Sequence, residues 1–202
     1  WSAGKDSCLA LLRAIDAGAT VATFVTFCEA DGSSKSHALE APVIDAQVRA
    51  FGGTSLRVDV PEGDYAASFD RTLAMLAGSG HRRMVFGDID LAAHRDWIEP
   101  RCRAAGLDAW FPLWGEPRLD IAHGIIDRGI RARLVCVDTA MLDAGLCGLD
   151  YDPGLLARLP PDCCPCGENG EFHTFVVSAP GMAAMPRLDW SATRLIGSRP
   201  PL

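Results

Sequence analysis

Lysine is almost missing from this chain. Of its 19 cationic residues only Lys5 and Lys35 are lysines, and the rest are arginines. The 26 carboxylates outnumber the cations and leave a net charge of -7. That balance argues against a general binder of nucleic acid or of an anionic membrane surface. No apolar run approaches the roughly 18 residues that a membrane span needs. The opening WSAGKDS lacks the basic start and apolar stretch of a signal peptide. There is no internal repeat and no low-complexity tract. The eight cysteines, at 8, 28, 102, 136, 147, 163, 164 and 166, are too thinly spread for a disulfide scaffold. A reducing, cytoplasmic compartment with free thiols is expected. Arginine-rich, Ala- and Gly-rich usage suggests a GC-rich bacterial gene.

What is there is a core. Hydrophobic residues make up 49% of 202 positions, enough to exclude disorder as the main state. The length suits one large or two small domains of roughly 100–200 residues. Leu9, Leu12 and Ile15 form a stripe at helical spacing over 8–17, stopped by Gly18. VATFVTF at 21–27 reads as a buried strand. A polar, Gly/Ser-rich stretch, 29–40, reads as a mobile loop. Further helices are expected at about 42–51, 65–77, 91–105 and 117–129. Strands are expected at 55–60, in RRMVFGDID up to Gly87, at 133–138 and at 172–178. The alternation predicts an α/β fold: a parallel, Rossmann-like sheet with helices on both faces. A boundary near 113–116 divides a nucleotide-binding domain, 1–114, from a smaller α+β substrate region, 115–202. A strand before Trp1 is expected, because a phosphate loop normally follows one.

The opening Ser2-Ala3-Gly4-Lys5-Asp6-Ser7 carries the chemistry. Small residues let the backbone turn tightly and approach a ligand. The amides from Gly4 to Ser7 are the open donors of a helix N-terminus, an anion site. Lys5 adds a point charge, Ser2 and Ser7 add hydroxyls, and Asp6 can hold a magnesium ion. Only one glycine precedes the lysine, so this is not G-x-x-x-x-G-K-[ST]. The bland alternative is an ordinary capped helix start.

Three later segments join it. Phe86-Gly87-Asp88-Ile89 ends a strand where α/β sheets bind ligands, although Asp88 also reads as a helix N-cap. Arg95, Glu99 and Cys102 are spaced to share one helix face; an i,i+4 ion pair and a buried cysteine explain them equally. Glu168, Asn169 and Glu171 cluster around Gly167 and Gly170, either as a polar hairpin turn or as a converging ligand set for an amine or carboxylate. His173 follows at a strand start, where it also reads as a satisfied polar residue. The run C-C-P-C at 163–166 has no second Cys/His pair nearby for zinc.

The hexapeptide resembles the S-G-G-K-D-S pyrophosphate loop of the ATP pyrophosphatases, with Ala3 in place of the first glycine. With F-G-D-I, H-R-x-W-x-E-x-x-C, P-L-W at 112–114 and P-C-G-E-N-G-E-F-H-T at 165–174, the chain is similar to the diphthine–ammonia ligase family within that superfamily. The resemblance runs from Trp1 to about residue 180. It implies that Ser2, Ala3, Gly4, Lys5, Asp6, Ser7, Gly87 and Asp88 bind ATP, with Lys5 and Asp6 catalytic and Asp6 on Mg2+. It implies that Arg95, Glu99, Glu168, Asn169, Glu171 and His173 line a substrate cleft. His37 falls near a family histidine, but Ala38 replaces the glycine after it. The extra Cys163 and Cys164 read as local drift.

The implied reaction is adenylation of a carboxylate, on a small molecule or a protein, followed by attack of ammonia to give an amide. Diphthine is the family's acceptor; a bacterial relative acting on another substrate, as in corrinoid salvage, is the alternative. A non-catalytic ATP-binding module and a thiolating enzyme of the superfamily are further readings; the second is opposed by the chain's negative charge. A homodimer is compatible with the superfamily.

Overall fold

The structure is a computed structural model that describes residues 1–29 and 41–185. Residues 30–40 of the expected loop, with His37 and Ala38, and residues 186–202 lie outside the described residues.

The first helix, α1 (Lys5–Asp16), starts directly from the hexapeptide. Then come β1 (Thr23–Cys28), α2 (Ala41–Ala50), β2 (Thr54–Asp59), α3 (Tyr65–Gly78) and β3 (Arg83–Val85). After these follow α4 (Ala92–Ala104), β4 (Asp108–Trp110), α5 (Arg118–Asp127) and β5 (Arg131–Val137). A short α6 (Pro153–Leu156) and β6 (Phe172–Ser178) complete the set. Strands β1 and β2 pair in parallel, as do β3 and β4, while β5 and β6 are antiparallel.

The period of two in β1 decides which helices lie on which face. Phe24 packs with Leu11 of α1 and with Ile44 and Val48 of α2. Val25, pointing the other way, packs with Phe69, Leu73 and Leu76 of α3 and with Ile98 and Cys102 of α4. Helices thus cover both faces, as the alternating pattern predicts. Residues 1–3 run beside β1 and β6. The Trp1 nitrogen donates to the Val25 carbonyl, and the Val176 amide donates to the Ala3 carbonyl at 3.0 Å. The hexapeptide is therefore held on two sides by strands.

One strand is not expected from the sequence, and one buried cluster spans residues 113–116. Strand β4 carries no visible alternation in the sequence; three residues pair with β3 because Gly106 turns the chain back at a positive φ of 78°. The boundary near 113–116 does not separate two cores. Cys8, Leu9 and Leu12 of α1 share one buried cluster with Ile121, Leu134, Cys166 and Phe172.

Gly53 lies against the Phe24 ring, which would overlap a Cβ built there. Phe24 is hemmed in by Trp1 and Phe51, with ring centroids 5.0 and 6.1 Å away. Gly53→Ala should cost about 1–3 kcal/mol, lowering Tm by roughly 2–10 °C. Combining it with Phe24→Leu should cost less than the sum of the two, because the smaller side chain vacates the clash. Additive losses in thermal melts would show that the ring is not the obstacle.

Candidate functional site

Ala3 sits at φ 64°, the one non-glycine residue with positive φ among those described. Its carbonyl accepts from the Val176 amide and from Gln47 Nε2 at 3.2 Å. Gly4 then extends the chain into α1. The left-handed turn costs roughly 1–2 kcal/mol for alanine, and these bonds hold it in place.

Two of the four expected donors are engaged by the protein. The Gly4 amide donates to Ser2 Oγ at 3.3 Å and the Lys5 amide to Thr174 Oγ1 at 3.2 Å. The Ser2 and Ser7 hydroxyls lie 2.9 Å apart. The amides of Asp6 and Ser7 have no hydrogen-bond acceptor among the described residues. Gly87 presses on this spot. A Cβ at 87 would lie 2.9 Å from the Ser7 nitrogen and 3.2 Å from the Asp6 carbonyl carbon. A glycine is what lets the end of β3 come this close to the open amides.

Lys5 is not the free point charge expected from the sequence. It is 2% exposed. Its ammonium donates to Asp6 Oδ2 at 2.8 Å and to the Cys166 carbonyl. It also lies 5.4 Å from the Tyr151 ring centre and 5.3 Å from that of Phe172. Burial alone would lower its pKa, but the Asp6 carboxylate, Cys166 and Glu168 more than offset this and hold the proton tighter than usual. Two of its three N–H groups are used, so a ligand has one left to meet.

The other carboxyl oxygen of Asp6, Oδ1, is buried without a partner among the described residues. Such an orphan is expensive unless something binds it. An oxygen donor beside open amides fits Mg2+, which takes one or two protein carboxylates together with substrate phosphates. Asp6 is the residue that would hold it. No group of three metal-binding side chains forms among the described residues.

The late motif folds over this loop, but its carboxylates divide the work. Glu171 is 1% exposed. It accepts from the Cys164 amide at 2.8 Å, the Asn169 amide at 2.9 Å and Asn169 Nδ2 at 3.0 Å. It shapes the 164–169 loop from inside instead of meeting a ligand. Asn169 is held by Glu171 and by Arg118 Nη1, which donates to its Oδ1 at 3.3 Å. Glu168 and Asn169 both reach solvent, and Glu168 is the one whose charge couples to Lys5 and Asp6. Partial burial, then the Asp6 charge, push its carboxyl up to about 7, with Lys5 acting against the shift. Solvent at this side chain screens both effects. His173 is turned away: Phe172 and Thr174 on the same strand face Lys5, and alternation sends His173 to the other side.

Asp88 is not a helix cap, since α4 is capped at Leu91. It accepts from His94 Nδ1 at 2.9 Å. Arg95 pairs with Glu99 at 2.5 Å and lies over the Trp114 ring at 4.8 Å and the Phe111 ring at 5.7 Å. These contacts form a group apart from the one around Lys5. Cys102 is fully buried and lines no cleft.

Arg118 is the residue that the sequence reading missed. It grips Asp90 with two bonds, at 2.7 and 2.8 Å, and reaches Cys164 Sγ at 3.3 Å as well as Asn169. It thereby ties the segment after β3 to the late loop. A signal was present: a cation at the first residue of a helix opposes the helix dipole, which calls for an acidic partner.

The family model described as the diphthamide synthase N-terminal domain matches residues 1–109, a little over half of the 202-residue chain. No curated protein matches it.

The Glu168 carboxyl has an ordinary value of 4.5 and a folded value near 7. The folded state therefore binds the extra proton between these limits, so this group's contribution to stability falls as pH rises through that window. Glu168→Gln removes the dependence. Its Tm relative to the parent protein should climb between pH 4.5 and 7. Parallel melting profiles across that range would refute the shifted carboxyl.

Proposed function

The chain belongs to the diphthamide synthase N-terminal domain family, a PP-loop family of ATP-pyrophosphatase-type enzymes, and from that premise we propose that it is a ligase forming an amide from a carboxylate and ammonia. The open amides of Asp6 and Ser7, with Gly87 pressed close and Asp6 Oδ1 unsatisfied, carry this reading.

In the proposed reaction an oxygen of the substrate carboxylate bonds to the α-phosphorus of ATP. The bond from that phosphorus to the bridging oxygen breaks and pyrophosphate leaves. Ammonia then attacks the acyl carbon, loses a proton, and the carbon–oxygen bond to AMP breaks. The helix amides and dipole at Asp6 and Ser7 would hold the tail of the nucleotide and the charge that builds on it. Magnesium, held by Asp6, would offset phosphate charge. Glu168, protonated up to about neutral pH, would stand at the mouth as a donor to an incoming carboxylate. Diphthine is one acceptor of the right class, and a different carboxylate in a bacterial member is another.

A second reading has one observation in its favour. The Lys5 ammonium is already committed to Asp6 and Cys166, which suits a module that binds ATP without cleaving it.

The two part on one assay. The protein is incubated with ATP, Mg2+, ammonium and a panel of carboxylates, and pyrophosphate and AMP are measured. The ligase reading expects both products, stimulated by one acceptor. Asp6→Asn should cut the rate by about 100-fold or more. Lys5→Met should do likewise and also lower Tm, because it leaves Asp6 without its buried partner. Tight ATP binding with no pyrophosphate across the panel would decide for the module.

A further inference from the structure

The late loop carries thiols that the proposed reaction leaves unused. Cys164 is 5% exposed and Cys166 2%. The two residues stand within a single turn, closed by the Gly167 amide donating to the Cys164 carbonyl at 3.0 Å. Gly167 takes a positive φ of 72° there. Arg118 Nη1 donates to Cys164 Sγ, and Cys166 Sγ donates to the Arg118 carbonyl at 3.1 Å. Cys163, half-buried beside them, instead donates to the Cys164 carbonyl at 3.5 Å. Arg118 thus meets both sulfurs, Cys164 through its guanidinium and Cys166 through its carbonyl. That is the arrangement of a reactive thiol with its resolving partner.

We propose that Cys164 and Cys166 form a thiol–disulfide switch, oxidised by a hydroperoxide, in the loop that holds Lys5. In the first step the Cys164 sulfur attacks a peroxide oxygen, the O–O bond breaks, and the thiol becomes a sulfenic acid with release of water or alcohol. In the second, the Cys166 sulfur attacks the Cys164 sulfur, the S–O bond breaks, and water leaves as the S–S bond forms. Two thiols are oxidised and one peroxide is reduced. The bond changes what the loop can do. Cys164 no longer presents a negative sulfur to Arg118. The Cys166 backbone, whose carbonyl holds the Lys5 ammonium, must also follow its own side chain.

The charges support the order of attack. The neighbouring Cys166, the backbone amides of Glu168 and Cys166, and more weakly the Arg118 charge hold Cys164 down at about 5 despite burial. Cys166 moves the other way, pushed up by its place beside Cys164 and by burial. The thiols at Cys8, Cys102 and Cys163 are pushed up, chiefly by burial, to about 12, 11 and 11. Arg118, which contacts the Cys164 sulfur, has a side chain that is 32% exposed.

The test treats the reduced full chain with hydrogen peroxide at neutral pH, blocks remaining thiols, and maps peptides by mass under non-reducing conditions. The expected product is the 164–166 peptide lighter by two hydrogens, restored by dithiothreitol, with Cys8 and Cys102 still blocked as thiols. Cys163→Ser should leave that product unchanged, and Arg118→Met should slow its formation several-fold. Cys164→Ser and, as a second variant should that one fold poorly, Cys164→Ala should both abolish it. Hydrogen exchange should show the amides around Lys5 and Cys166 exchanging faster after oxidation. A first oxidation at Cys163, a Cys163-containing disulfide, or sulfinic acid at Cys164 with Cys166 still a thiol would overturn the assignment. None of these readouts depends on the ligase reaction.

Discussion

The site depends on one buried ammonium. Taking a lysine out of water costs several kcal/mol unless it is paired and hydrogen-bonded. Lys5 meets that cost with the Asp6 carboxylate, the Cys166 carbonyl and two ring faces. Three of those four partners come from beyond residue 150. The Cys166 contact alone closes a separation of 161 positions. The phosphate-loop sequence is therefore complete by residue 7, but its electrostatic surroundings are not complete until β6 has docked. This explains why the core does not divide near 113–116. α1 must share its buried face with β6, which delivers Phe172 and Thr174 to Lys5, and with the connection that carries Tyr151.

Much of this fold was legible because its helices are amphipathic and its main strands are short and apolar. α3 and β6 fall where periodicity puts them, since Phe69, Leu73 and Leu76 mark one helical face and FHTFVVS has nowhere to go but a core. β4 was not legible. Three residues cannot show a period, and DAW becomes a strand only because Gly106 brings it beside β3. Within the site, the hexapeptide and Gly87 could be read from residue type, since small residues at a strand end or a helix start limit what else they can do. The roles of Lys5 and Glu171 could not. Sequence marks a charged residue as polar, but the direction its side chain takes is a tertiary fact. Both turn inward, Lys5 as a tie between distant segments and Glu171 as the peg of the 164–169 loop.

Ala3 shows how narrow such margins are. The left-handed backbone costs alanine roughly 1–2 kcal/mol, whereas burying one methyl group returns about 0.8 kcal/mol. Ala3 is fully buried against Leu11, Phe24 and Phe175. Burial offsets roughly half of that cost, so alanine is tolerated where the related loops have glycine. A larger side chain would bring more steric cost without more room, because the same carbonyl is pinned by Val176 and Gln47.

The charge arrangement around the open amides then sets what this site can accept. Among the described residues, the cations near it, Lys5 and Arg118, both already face carboxylates, Asp6 and Asp90. An incoming polyphosphate meets backbone N–H groups and a helix dipole before it meets a free cation. Repulsion from Asp6 and Glu168 would work against it. Glu168 lessens that repulsion by holding its proton to about neutral pH, since a neutral carboxyl can donate to an anion where a carboxylate can only repel it. Asp6 is paired with Lys5 through one oxygen. Its other oxygen therefore favours a divalent cation arriving with the phosphates. The site reads best as one built for a phosphate–metal pair, not for a bare anion.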